Sequence, residues 1–250
     1  MISAVIAVVV LLGAGGAAVR AFTVSTPSGP SLSGKSPAQI LQMTLAAAST
    51  ADALHFTEIQ SDLGQRSTST VYIGPNGANI ATSDTGVNLA INLVLVNSKV
   101  YLKAGGVFWS VLLGSNVNKR LLAHWIVVPP SNAEVSKVKS GLDLHSLVSS
   151  LIALRSPISD TSSGSGSAAT VTLRGTLPDT AINSGDGAGD VASLTISATA
   201  PFYPLRISFD DKKNGPATIA FSNWDATQAL PSVAGAVPMS LLTRASPKQK

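Results

Sequence analysis

The chain has 250 residues, enough for one sizeable domain or two small ones, with a net charge of +4 and 12% charged residues, about half the ~25% usual in soluble domains. Two of the positive charges sit in the closing ASPKQK, and no stretch interleaves Lys or Arg with stacking aromatics, which argues against a nucleic-acid partner. Cysteine is absent, which excludes disulfides, thiolate metal sites, a cysteine nucleophile and lipidation on cysteine.

Residues 2–19, ISAVIAVVVLLGAGGAAV, carry no charge, and Arg20 follows. That length suits a membrane-spanning helix. A signal peptide is the competing reading, with Gly15, Gly16, Ala17 and Ala18 open to cleavage, although no Lys or Arg precedes the apolar run. Either way residues 1–20 are an address, and the rest is expected outside the cytoplasm, anchored to the cell membrane or secreted. Residues 21–35, AFTVSTPSGPSLSGK, form a Ser/Pro/Gly linker. One domain is expected over 36–230, followed by a C-terminal tail at 231–250.

Ser36-Pro37 opens a helix, with serine as the cap and proline at the first turn. Apolar spacing carries that helix to about Leu54, and its inward side is made mostly of small residues. Strands are predicted over 54–61, 68–73, 78–83, 87–96 and 99–104, separated by turn signals such as Gly74-Pro75-Asn76-Gly77 and Asp84-Thr85-Gly86. Connections this short favour an antiparallel meander.

In the pair around Asn97-Ser98, a two-residue loop sets Leu95 opposite Val100 and Leu93 opposite Leu102. Leu89, Ile91, Leu93, Leu95, Val100 and Leu102 then share one face. The other face carries Val94, Val96 and Tyr101, a small patch that needs at most a rim contact or a partner. After Phe108–Leu112, helical segments are predicted at 116–124, 132–139 and 143–154, the last with Leu144, Leu147, Val148, Leu151 and Ile152 at helical spacing.

Residues 155–168, RSPISDTSSGSGSA, read as a flexible loop. Beyond it, clean alternation marks strands around Val171 and Leu173, Leu194 and Ile196, Leu205 to Phe209, and Ile219 and Phe221. Each has one apolar and one wet face, as a sheet covered on one side requires. The expected fold is α+β: a large curved antiparallel sheet of about ten strands, an open half-barrel, with helices packed on its concave face.

Catalytic and metal chemistry find no foothold. His55, His124 and His145 fall in no two-histidine ligand spacing. SSGSGS at 162–167 does not fit G-x-S-x-G, and GDGAGD at 185–190 fails G-x-G-x-x-G at its last position. Asp179, Asp186 and Asp190 fit no EF-hand spacing. No catalytic residue, metal or cofactor is expected. Trp109, Trp125 and Trp224 read as core or rim residues. Lys119, Arg120, Lys137 and Lys139, opposed by Glu134, are either a solvated helix face or a surface for anionic head groups.

Four stretches in order carry a resemblance: LHFTEIQ at 54–60, VNSKVYLKAGGVFWSVL at 96–112, KRLLAHWIVVPPS at 119–131 and PLRISFDDKKNGPATIAFSNWD at 204–225. With the opening helix, the chain resembles the extracytoplasmic lipid-carrying lipoproteins of the LppX/LprAFG group, related in fold to the LolA carriers. The resemblance implies a half-barrel with an apolar cavity between sheet and helices that binds acylated lipids or glycolipids of the bacterial cell envelope. Family members carry a lipobox cysteine at the cleavage site, which this chain lacks.

On that resemblance the cavity wall is expected at Leu93, Leu95, Val100 and Leu102 of the hairpin and at Leu147 and Leu151 of the helix. Leu194, Ile196, Ile207 and Phe221 of the later strands complete it. Lys119 and Arg120 are expected to meet head groups or membrane. The expected partners are the lipid, the membrane through the N-terminal helix and an envelope transporter, but no nucleic acid. The same apolar residues would equally fill a packed core. The alternative is therefore a membrane-anchored envelope sensor or scaffold that binds protein through an exposed patch around Val94, Val96 and Tyr101.

Overall fold

The structure, a computed structural model, describes residues 32–62, 65–114, 117–152, 154–165, 168–177, 190–211 and 215–242. The address segment and most of the linker lie outside the described residues, as do GDGAGD except for Asp190, and the last eight residues. Among the described residues, no helix is long and apolar enough to cross a membrane.

Helix α1 spans Pro37–Ser49. Ser36 and Gln39 cap each other reciprocally: Gln39 N donates to Ser36 Oγ at 3.3 Å and Ser36 N donates to Gln39 Oε1 at 2.9 Å. The helix stops at Ser49, short of the predicted Leu54. There the Ser49 and Thr50 hydroxyls turn back onto the carbonyls of Ala46 and Ala47. Asp52 N is drawn away to Asp225 Oδ1 at 2.9 Å, and Leu54 begins a strand.

Strands β1 (Leu54–Asp62), β2 (Gln65–Gly74), β3 (Gly77–Asp84), β4 (Leu89–Val96) and β5 (Lys99–Ala104) form the predicted meander. The β4–β5 hairpin has the expected register, Leu95 opposite Val100 and Leu93 opposite Leu102. Its turn residues Asn97 and Ser98 have φ of 50° and 58°, the left-handed pair whose twist matches the flanking strands. Helix α2 (Gly106–Leu113) follows. The helix expected over 116–124 shrinks to one 3-10 turn, Lys119–Leu121, where Arg120 N donates to Asn118 Oδ1 at 3.2 Å. A two-residue strand, β6 (Ile126–Val127), precedes helices α3 (Ala133–Gly141) and α4 (Leu144–Leu151).

Residues Arg155–Ser163 form strand β7, correcting the loop expected over 155–168. Its register against β8 (Thr170–Thr176) shifts twice. A bulged, polar edge strand has only one partner and no continuous covered face, so it shows no alternation to read. β9 (Val191–Ser197), β10 (Pro204–Asp211) and β11 (Gly215–Ser222) follow as predicted. Leu205 departs from the alternation: a register shift between Pro204 and Arg206 turns it outward.

The twelve described strands make one open sheet in the order β12-β6-β5-β4-β3-β2-β1-β11-β10-β9-β8-β7. β12 (Val237–Pro238), which pairs in parallel with β6, takes the sheet past residue 230; every other pairing is antiparallel. β1 lies in the middle and joins two meanders through its pairing with β11. The sheet is a curved half-barrel with helices on its concave face, an α+β fold.

The convex face near β4 has its own cover. After β11 the chain crosses back over the opposite meander: Ala226 O lies 3.2 Å from His55 Nε2, and Asn76 Nδ2 donates to Gln228 O at 2.8 Å. Leu230 then sits against Gly77, where a Cβ would also meet the Leu95 carbonyl oxygen. The segment ends beside β6 as β12. Val94 is fully buried, and Val96 and Tyr101 are half-buried. The exposed patch expected around these three residues is therefore not formed.

Candidate functional site

Alternation in each strand sends one set of side chains to the concave face, and the helices return leucines and valines to it. The two sets form a single apolar cluster. Asp143 caps helix α4: its Oδ2 accepts from Ser146 N at 2.9 Å, and hydrogen bonds from the Ser146 side chain and then from this backbone N–H hold the Asp143 carboxyl below the usual carboxylate range. The capped helix turns Leu144, Leu147, Val148 and Leu151 inward, while α1 contributes Ile40, Leu41 and Ala48.

The structure brings all the predicted wall residues to this cluster. Leu93, Val100 and Leu102 lie on the hairpin, Leu147 and Leu151 on α4, and Leu194, Ile196, Ile207 and Phe221 on the second meander; all are buried. Leu95 is half-buried at its margin. Phe56 and Phe221, opposite each other on β1 and β11, bring their ring centroids to 6.2 Å where the two meanders join.

The registers define rows across the concave face. One runs Leu102, Leu93, Ile80, Val71, Phe56 and Phe221, and is wholly apolar. The next, about 7 Å along the strands, runs Ile91, Thr82, Ser69, Glu58, Ile219 and Ile207. Its middle is polar. Ser69 Oγ and Thr82 Oγ1 are hydrogen-bonded at 3.0 Å and buried. Glu58 has no hydrogen bond or ion pair among the described residues, and burial pushes its carboxyl up to about 7. Nevertheless Glu58 is only half-buried, while its cross-strand neighbours Ser69 and Ile219 are buried.

Glu58 is the residue that reading the sequence for apolar walls passes over. Its signal was the parity of LHFTEIQ, where Leu54, Phe56 and Glu58 share a face. A second polar atom also stands out: Trp109 of α2 is fully buried, and its Nε1–H has no acceptor among the described residues.

Outside the cluster, Lys119 and Arg120 are exposed on their 3-10 turn. They have apolar company that the sequence did not announce: Val107, Val111 and Leu112 of α2 are 56%, 49% and 48% exposed. The start of α2 abuts the end of that turn, since a Cβ on Gly106 would lie 3.3 Å from Leu122 Cδ1. The histidines do not converge, and the described residues contain no group of His, Asp or Glu able to hold a metal. His55 instead packs against Tyr72, ring centroids 4.8 Å apart. Trp224 stacks on Tyr203 at 4.6 Å and donates to Pro204 O at 3.1 Å. Tyr203 in turn donates to Asp225 Oδ2 at 2.6 Å, and desolvation with that bond pushes its hydroxyl up to about 12.

No protein-family model matches the chain, and no curated protein does. Among solved structures, LprF from Mycobacterium bovis matches with a TM-score of 0.55 at 19% identity, over 83% of this chain and 100% of LprF. The fold is that of LprF. The Mycobacterium tuberculosis lipoprotein LppX matches at a TM-score of 0.49 and 14% identity, over 78% of this chain and 100% of LppX.

Proposed function

We propose that the protein binds acylated lipids or glycolipids in the bacterial cell envelope, without catalysis, and carries them between the concave face and helices α1 and α4. The supporting observation is Glu58. A side chain whose strand neighbours are buried retains accessible surface where the space before it is open. That opening borders an apolar cluster built from both meanders and the helices. Each methylene buried there is worth about 0.8 kcal/mol, so one long acyl chain supplies the affinity.

The outer surface supports the same reading. Val107, Val111 and Leu112 are exposed on α2, whose start abuts the turn carrying the exposed Lys119 and Arg120; apolar side chains with positive charge are the chemistry that attracts a protein to an anionic bilayer. In this proposal residues 1–20 deliver the domain outside the cytoplasm, as an anchor or as a cleaved signal, and an envelope transporter is a further partner.

Organic extraction of gently purified protein followed by mass spectrometry tests the proposal. Acylated lipid is expected in near-stoichiometric amount. Protein that is clean on extraction and takes up no fluorescent lipid would overturn it.

A further inference from the structure

The concave face turns polar where β1 crosses its middle, and the polarity is not balanced within the protein. Ser69 and Thr82 satisfy each other at 3.0 Å. Glu58, next in the row, has neither a hydrogen bond nor an ion pair among the described residues. A half-buried carboxyl without a protein partner, facing a mostly apolar interior, gains a hydrogen bond when a ligand entering that space supplies a polar group. Among the described residues the surrounding groups supply none, and Gln60, on the same face of β1, is engaged elsewhere. Ser69 on β2 and Ile219 on β11 flank it, with Thr82 and Ile207 beyond them. The buried side of α1 is Ile40, Leu41, Thr44 and Ala48, and that of α4 is all leucine and valine. The ionisable residue on this face of β3 is Asp84, at the strand's end, where its Oδ1 accepts from Gly86 N at 2.8 Å.

We propose that Glu58 binds a polar oxygen of the lipid held in this interior, so that the protein selects lipids whose acyl part carries a carbonyl or hydroxyl at the depth of mid-sheet over plain hydrocarbon. The proposal rests on the lipid-binding reading above. Desolvation pushes Glu58 up to about 7, so below neutrality the carboxyl keeps its proton and donates it to an ester or acid carbonyl. The same group accepts a hydrogen bond from a ligand hydroxyl in either state. As pH rises through about 7, the carboxylate loses its donor and the hold on a carbonyl weakens.

The test uses the delipidated full chain loaded with the apolar dye N-phenyl-1-naphthylamine, displaced by methyl stearate or by octadecane. At pH 6 the wild type is expected to favour the ester over the alkane by about tenfold more than Glu58→Leu does, the size of one hydrogen bond to a buried partner. Glu58→Gln, which still donates, should keep the preference at both pH 6 and pH 8.5, whereas the wild type loses it at pH 8.5. Glu58→Met serves if the leucine variant does not fold. If the apolar variants keep the full ester preference, or the wild type has none while both ligands displace the dye, the inference is overturned and lipid binding stands. If neither dye nor ligand enters the wild type, both fall together.

Discussion

The two faces of β4 are both apolar, and they are closed by different means. On the concave side Leu93 belongs to the cluster under the helices. On the convex side Val94 is as fully buried, in the region where the C-terminal segment crosses back over the first meander. One side packs under the helices and carries the half-buried Glu58, while the segment after β11 crosses near the other. The burial of a residue therefore does not tell whether it faces protein or ligand; what covers it does.

The largest expected effect separates packed from open positions. Ile207 is fully buried on the concave face, and Ile207→Ala should cost about 2–5 kcal/mol in denaturant unfolding. Val94→Ala deletes less and should cost about 1–2 kcal/mol if that crossing segment packs as tightly as the helices do. A near-zero cost at Val94 would break the comparison.

Glu58 gives the next effect, with its sign set by the direction of the shift. The group titrates near 4.5 in the unfolded chain and at about 7 in the fold. Its contribution is fully present below 4.5 and is lost as pH rises through about 7. The loss is at most about 3 kcal/mol, because the side chain is only half-buried. Glu58→Gln should remove that decline, so the difference between its urea midpoint and the wild type's should grow from pH 4.5 to pH 8. A constant difference would mean that the carboxyl is solvated.

Leu95→Trp sharpens the comparison at the margin of the concave cluster. If the space beside it is open, the variant folds with little change in stability and loses lipid uptake; if it is filled, overpacking costs about 1–3 kcal/mol. The smallest effect on stability belongs to Lys119→Glu with Arg120→Glu, exposed on their turn. Unfolding should change by less than about 0.5 kcal/mol, while sedimentation with anionic vesicles should fall and become insensitive to added salt.

The hairpin register, the serine cap of α1 and the leucine stripe of α4 were all legible, because each is settled by residues within a few positions of one another. Strand β7 was not legible, since RSPISDTSS at a bulged edge has neither a covered face nor a regular register. The apolar cluster was legible in the alternation, and its polar middle was not. Alternation marked Leu93 and Ile207 as inward, and it marked Glu58 as inward too, but nothing in the local pattern says what stands opposite.

What the sequence determined by itself is parity: which side chains of each strand share a face, which turns join them and where the helices are capped. Only the tertiary structure decided the rows. Glu58 meets Ile219 because β1 pairs with β11 across some 160 residues of chain, and Val94 is fully buried in the region where the segment after β11 crosses back from mid-sheet. Side-chain direction follows from the local backbone, whereas neighbours across strands depend on which distant segments pair.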